Sequence, residues 1–123
     1  MEHSIKIGSV NLRGLTLMKL FILREIEDLD VLCIQETWIE PGAQVPAIPG
    51  FKVVEQRRIQ GTRGGLATYY RQSLRLEFTT GNEYGLYTRF VLPTSQRVNI
   101  TNVYLPPTSS LLRRGIMEAH AVE

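Results

Sequence analysis

Cysteine, histidine and aspartate are scarce in this 123-residue chain, which has one, two and two of them. A single cysteine, Cys33, excludes an internal disulfide. It stands in the apolar run Val31-Leu32-Cys33-Ile34, so it reads as a reduced, buried thiol rather than a nucleophile, which points to an intracellular compartment, nuclear or cytoplasmic. Long apolar runs are missing too. The longest, Leu15 to Leu23, is broken by Lys19 and followed by Arg24, Glu25 and Glu27, far short of the roughly 20 residues that cross a bilayer. Met1-Glu2-His3 lacks the charged-then-apolar order of a signal peptide. There is no internal repeat and no low-complexity segment.

What is present is ordinary in bulk and uneven in placement. The chain is long enough for one small domain with a core, and 43% hydrophobic with 21% charged residues is typical of globular proteins. Net charge is +2. Residues 1–56 carry five basic and eight acidic side chains, a net of −3. Residues 57–97 carry seven arginines (57, 58, 63, 71, 75, 89 and 97) against Glu77 and Glu83, a net of +5. Arginine matches phosphate geometry bidentately, so this stretch suits a polyanion; solvated strand edges and turns account for it equally well.

Ile5 to Asn11 reads as a strand. Thr16 is placed to cap a helix running to about Leu29, closed by Asp28 to Asp30. Val31 to Ile34 is continuous and apolar, as for a strand covered on both faces. Strand, helix and strand predict a parallel pair with a right-handed crossover. Pro41, Gly42, Pro46, Pro49 and Gly50 mark a long loop. Strands are then expected over Phe51–Gln56, Leu66–Tyr70, Leu74–Thr79, Tyr84–Leu92 and Arg97–Tyr104, with turn signals that argue for antiparallel neighbours. Ser109 and Ser110 are placed to cap a short helix over Leu111–His120. The fold class is α/β, with one mixed β-sheet and a helix on one face.

Polar chemistry gathers at strand ends. Asn11 ends the first strand and Glu36 follows the second. Neighbouring parallel strands deliver their C-terminal residues to one sheet edge, where ligands bind. A carboxylate beside an amide there suits a hard cation such as Mg²⁺, which takes one or two protein carboxylates.

Four segments carry a resemblance. Ile5-Lys6-Ile7-Gly8-Ser9-Val10-Asn11-Leu12-Arg13-Gly14-Leu15 is an apolar strand ending in Asn; Asp30 to Trp38 runs into Gln35-Glu36-Thr37; Arg63-Gly64-Gly65-Leu66-Ala67-Thr68-Tyr69-Tyr70 is a glycine-led strand; Val98 to Pro107 contains Asn102-Val103-Tyr104-Leu105-Pro106. In this order they resemble the endonuclease/exonuclease/phosphatase (DNase I-like) superfamily, over its N-terminal half. The wording is most similar to endonuclease domains of LINE-type non-LTR retrotransposons. The resemblance implies about half of a four-layer α/β sandwich and a Mg²⁺- or Mn²⁺-dependent phosphodiesterase acting on DNA. It assigns Glu36 to the metal, Asn11 to positioning that site, and Tyr104 to the scissile phosphate. Arg13 and Arg63 are candidate phosphate contacts. Trp38 is a candidate wall against nucleic acid or an anchor for its loop.

The same resemblance exposes what residues 1–123 do not contain. The family's Gly-Asp-Phe-Asn and Ser-Asp-His type motifs, the latter carrying its water-orienting histidine, have no counterpart. Asp28 and Asp30 sit at a helix–strand junction, where turn and capping roles are expected, and His3 and His120 lie near the chain ends. The expectation is a partial domain, inactive alone, with an exposed apolar sheet face covered by a partner or a second copy. A non-catalytic nucleic-acid-binding or decayed fragment, and a phosphatase of inositol phosphates or phospholipids, are the alternatives.

Overall fold

In the computed structural model, which describes residues 4–22, 26, 28–58 and 64–105, the run Val31–Gln35 forms a central strand. Arg63, both histidines, Pro106-Pro107 and the expected helix over Leu111–His120 lie outside the described residues. The elements, in chain order, are β1 (Ile7–Asn11), α1 (Leu17–Ile22), β2 (Val31–Gln35), β3 (Phe51–Gln56), β4 (Leu66–Arg71), β5 (Arg75–Asn82), β6 (Gly85–Val91) and β7 (Arg97–Val103). Thr16 caps α1 as its sequence position implies: its Oγ1 accepts the Lys19 N–H at 3.2 Å, three residues on. Asp30 does turn work, accepting the Lys6 N–H on its carboxylate at 2.8 Å and the Arg71 N–H on its carbonyl at 2.9 Å.

The strands divide between two sheets rather than joining one. The first has the order β1-β2-β4-β3, with β1 and β2 parallel and the rest antiparallel; the second is an antiparallel β5-β6-β7. β2 explains why. Its first four residues are buried, which requires a cover on each face. On one face Leu15, Leu20 and Ile26 pack with Leu32, Ile34, Ala67 and Tyr69. On the other, Val31, Cys33 and Tyr70 meet Leu74 of the β4–β5 turn and Phe90 and Ile100 from the second sheet. The Tyr70 and Phe90 rings bridge the sheets at 4.9 Å. Burying such side chains stabilises by about 1.5–3 kcal/mol each.

This packing also corrects the expectation of a large uncovered sheet face. The inner face of the first sheet is covered from within the chain: Val31 and Phe90 are fully buried. Period-2 alternation makes this possible, since Leu86, Thr88 and Phe90 of β6 point inward while Tyr87 and Arg89 point out. A bulge between Leu76 and Phe78 switches the face of β5, so Leu76 packs inward and Phe78 stands 49% exposed beside Tyr87. Among the described residues no helix is long and apolar enough to cross a membrane.

Candidate active site

One end of the sandwich holds Asn11, Arg13, Glu36, Trp38 and Tyr104. The β1–β2 ladder continues beyond both strands: Leu12 N–H bonds to Gln35 O (3.1 Å), Gly14 N–H to Glu36 O (2.8 Å) and Leu15 N–H to Thr37 O (2.7 Å). On the other side Thr37 N–H bonds to Gly65 O (3.2 Å) and Trp38 N–H to Gly64 O (3.0 Å). Glu36-Thr37-Trp38 is therefore clamped between two backbone segments. The clamp holds Arg13, Glu36 and Trp38 at φ of 50°, 55° and 52°. Left-handed backbone at non-glycine residues costs on the order of 1–3 kcal/mol each and persists only where the surroundings enforce it. Lys19 adds a strut, its Nζ donating to Leu12 O (2.7 Å) and Arg13 O (3.1 Å).

Gly65 makes the fit possible. Its φ is +90°, and a Cβ there would collide with Thr37 Oγ1. Only glycine allows the β4 entry to lie this close to the Glu36 loop.

Beneath this loop the core turns from apolar to polar. Asn102 of β7 is 1% exposed. Its Nδ2 is placed to donate to Ile34 O (3.1 Å), Ala67 O (3.0 Å) and Thr68 Oγ1 (3.2 Å), and its Oδ1 accepts from Gln35 Nε2 at 2.8 Å. Gln35 Nε2 also reaches Ser9 Oγ at 3.0 Å. One amide thus ties the C-terminal end of β2 and the start of β4 to the second sheet, and links through Gln35 to β1. Two residues after Asn102 the chain reaches Tyr104, whose N–H donates to Tyr84 O at 2.8 Å.

Tyr104 follows β7 of the second sheet and Glu36 follows β2 of the first, and they lie near enough at this end for the Glu36 charge to act on the phenol. Burial pushes the Tyr104 phenol above its ordinary range, the Glu36 charge adds to the rise, and Arg58 opposes it. The phenol is therefore protonated at neutral pH and able to donate. Asn11 sits at the same edge, paired in register with Gln35, but its Oδ1 accepts the Arg13 N–H at 3.3 Å in a local turn. Arg13 is exposed beside it. Trp38 is half-buried, with its ring 3.4 Å from where a Gly14 Cβ would lie, which suits an anchor for the loop. Cys33 is buried as expected, its thiol pushed up to about 11 by burial, with a Thr68 hydrogen bond opposing.

Sequence reasoning passed over Gln35, Lys19, Asn102 and Arg58. For Asn102 a signal existed, since alternation in β7 turns Val98, Ile100 and Asn102 inward, and an inward amide needs partners. Four of the six described arginines of the arginine-rich stretch are engaged within the fold. Arg57 binds Glu55 at 2.8 Å and donates to Glu40 O and Ala43 O, pinning the long loop. Arg71 donates to Leu29 O at 2.9 Å and lies over the Phe51 ring. Arg89 and Arg97 share Glu77, at 3.8 and 2.9 Å.

Comparison with known proteins places these features. The profile described as Endonuclease/Exonuclease/phosphatase family matches residues 8–121. No curated protein sequence matches. Among solved structures, the catalytic domain of Xenopus laevis APE2 is similar with a TM-score of 0.59 and 20% identity, covering 90% of this chain and 49% of that one. An AP endonuclease from Archaeoglobus fulgidus is similar with a TM-score of 0.57 and 17% identity, covering 97% of this chain and 49% of that one. The chain spans about half the length of these structures.

Proposed function

The chain belongs to the endonuclease/exonuclease/phosphatase family, and from that premise we propose that it is the N-terminal portion of a Mg²⁺- or Mn²⁺-dependent endonuclease domain that hydrolyses DNA phosphodiester bonds. The observation that carries the reading is that Glu36, fixed by the backbone clamp after β2, and Tyr104, two residues beyond the buried Asn102, stand at the same end of the sandwich above a satisfied polar floor. A carboxylate held on strained backbone and a protonated phenol from the opposite sheet suit a phosphate between them. The AP endonuclease likeness and the Gln35-Glu36-Thr37-Trp38 wording favour DNA over inositol phosphates. The same wording favours a retroelement origin.

Glu36 fits a hard divalent cation as one ligand. Among the described residues no three His, Cys, Asp or Glu side chains gather, and Mg²⁺ asks for only one or two carboxylates besides water and substrate oxygens. When bound, such a cation polarises a phosphoryl oxygen and stabilises the leaving oxygen. Of the chain's own residues, Glu36 would hold the cation, Tyr104 would donate to developing charge, and the Asn11 turn shapes the rim. Among the described residues no side chain is placed to act as the base that orients water, and the expected outcome is that the 123-residue chain alone leaves DNA intact.

The test is Mn²⁺ titration followed by NMR. Amide signals of residues 11–13, 36–38 and 104 should broaden first, and Glu36→Gln should abolish the effect. Broadening centred elsewhere refutes the site. Supercoiled plasmid with Mg²⁺ should stay intact; nicking by the chain that Glu36→Ala removes refutes the inactivity.

A further inference from the structure

Six of the seven arginines between residues 57 and 97 are described, and five serve the fold. Arg57, Arg71, Arg89 and Arg97 hold the contacts given above, and Arg75 lies in the field of Glu77. Arg58 differs. It is exposed, and among the described residues its guanidinium makes no hydrogen bond or ion pair.

Its position is nevertheless defined. Gln56, at the end of β3, packs its Oε1 3.1 Å from where a Gly81 Cβ would lie, holding this strand end against the β5–β6 hairpin. Two residues on, the Arg58 side chain lies along Gly64, with its Cδ 3.2 Å and its Nη1 3.6 Å from the position of a Cβ there. Gly64 is the residue whose carbonyl holds Trp38, two residues after Glu36. The hairpin turn carries Tyr84, whose carbonyl holds Tyr104. Arg58 thus occupies the rim between the Glu36 loop and the Tyr84–Tyr104 pair. Both phenols sense its charge, which draws each of them down against burial and the neighbouring Glu36 or Glu83.

A glycine beneath the stem lets the side chain lie along the β4 entry, and the guanidinium stays exposed beside the backbone that holds Trp38. A planar fork of donors matches two phosphate oxygens. We propose that Arg58 binds a phosphate group of the nucleic acid on the rim of the Glu36–Tyr104 site. Resting on the endonuclease reading, this assigns the phosphate contact to Arg58, one residue from the loop-pinning Arg57.

The experiment measures binding of a fluorescent duplex oligonucleotide across a salt series, using the full 123-residue chain. Arg58→Ala should weaken binding about tenfold and flatten the log–log salt slope by about 1. Arg58→Lys should recover part of the loss, since charge remains without the fork. Arg75→Ala removes the same charge at the far end of β5 and should change nothing. In parallel, inorganic phosphate is titrated while the Arg58 Nε–H resonance, identified by its loss in Arg58→Lys, is followed. Salt-dependent binding of DNA by the unaltered chain that Arg58→Ala leaves intact overturns this inference and spares the endonuclease reading. No DNA binding, with the Arg58 resonance moved by phosphate, keeps the anion site and overturns DNA as its ligand. No DNA binding and no phosphate shift overturn both.

Discussion

Replacing Asn102 tests the polar floor on which the site rests. The side chain is 1% exposed, and its amide joins three acceptors on β2 and β4 to the Gln35 donor. Two N–H groups cannot serve three acceptors fully, so two good bonds and the Gln35 bond are the realistic count. At about 1 kcal/mol each, Asn102→Ala loses about 3 kcal/mol. Gln35 keeps Ser9 as a partner, which limits the penalty at that end. Against a total stability of about 5–15 kcal/mol, the loss is large. Asn102→Asp is more discriminating, because a carboxylate oxygen would replace the donor that now faces Ile34 O and Ala67 O. The ionised form is then repelled, so the introduced group's folded-state pKa lies above its unfolded value near 4. With a raised folded-state pKa, stability is fully present below about pH 4 and falls as pH rises above it, by up to about 1.4 kcal/mol per unit. Urea unfolding of both variants and the parent chain between pH 3 and 8 measures this. An Asn102→Ala loss under about 0.5 kcal/mol, or an Asn102→Asp curve parallel to the parent's, would falsify the assignment of Asn102 as the buried tie between sheets.

Three further outcomes are expected. Gly65→Ala and Gly42→Ala both place a Cβ at positive φ, +90° and +83°, but only the former meets an atom, Thr37 Oγ1; thermal melts should show about 1 kcal/mol lost at Gly42 and a clearly larger loss at Gly65, and equal losses would mean that the close approach is not real. Burial raises the Cys33 thiol from 9.0 to about 11, so its contribution is intact below pH 9 and fades as pH climbs toward 11, by up to roughly 2–3 kcal/mol; Cys33→Ala should lack that part of the alkaline fall in denaturant midpoints. Thr16→Ala removes the cap on Lys19 N–H and should lower stability by about 1 kcal/mol, whereas Thr94→Ala, in an exposed turn, should be neutral.

Local chemistry was legible along the chain. Phe51–Gln56 is a strand with the bounds its pattern implies, and the other strands fall within two residues of theirs except at the end of β5, which runs to Asn82, three residues past Thr79. The strand–helix–strand opening brings Asn11 beside Gln35 because a parallel pair puts both C-terminal ends on one edge. That pairing needs only periodicity and a crossover rule, both of which act over short separations. Alternation in β6 and β7 identified inward residues but not what they face, because period 2 is blind to partner and sheet. Tertiary structure made that choice, laying β5-β6-β7 over β2 and β4 because two buried faces needed two covers. The same long-range packing brought Tyr104 to the end of the sandwich that carries Glu36, tied Asn102 to carbonyls 35 and 68 residues away, and engaged four arginines in ion pairs and loop contacts. Residue identity determined that a carboxylate, an amide and a phenol would stand at strand ends. Only the folding of one sheet onto the other decided that the carboxylate and the phenol share one site, because hydrogen bonds and charge act across distances in space that sequence separation does not record.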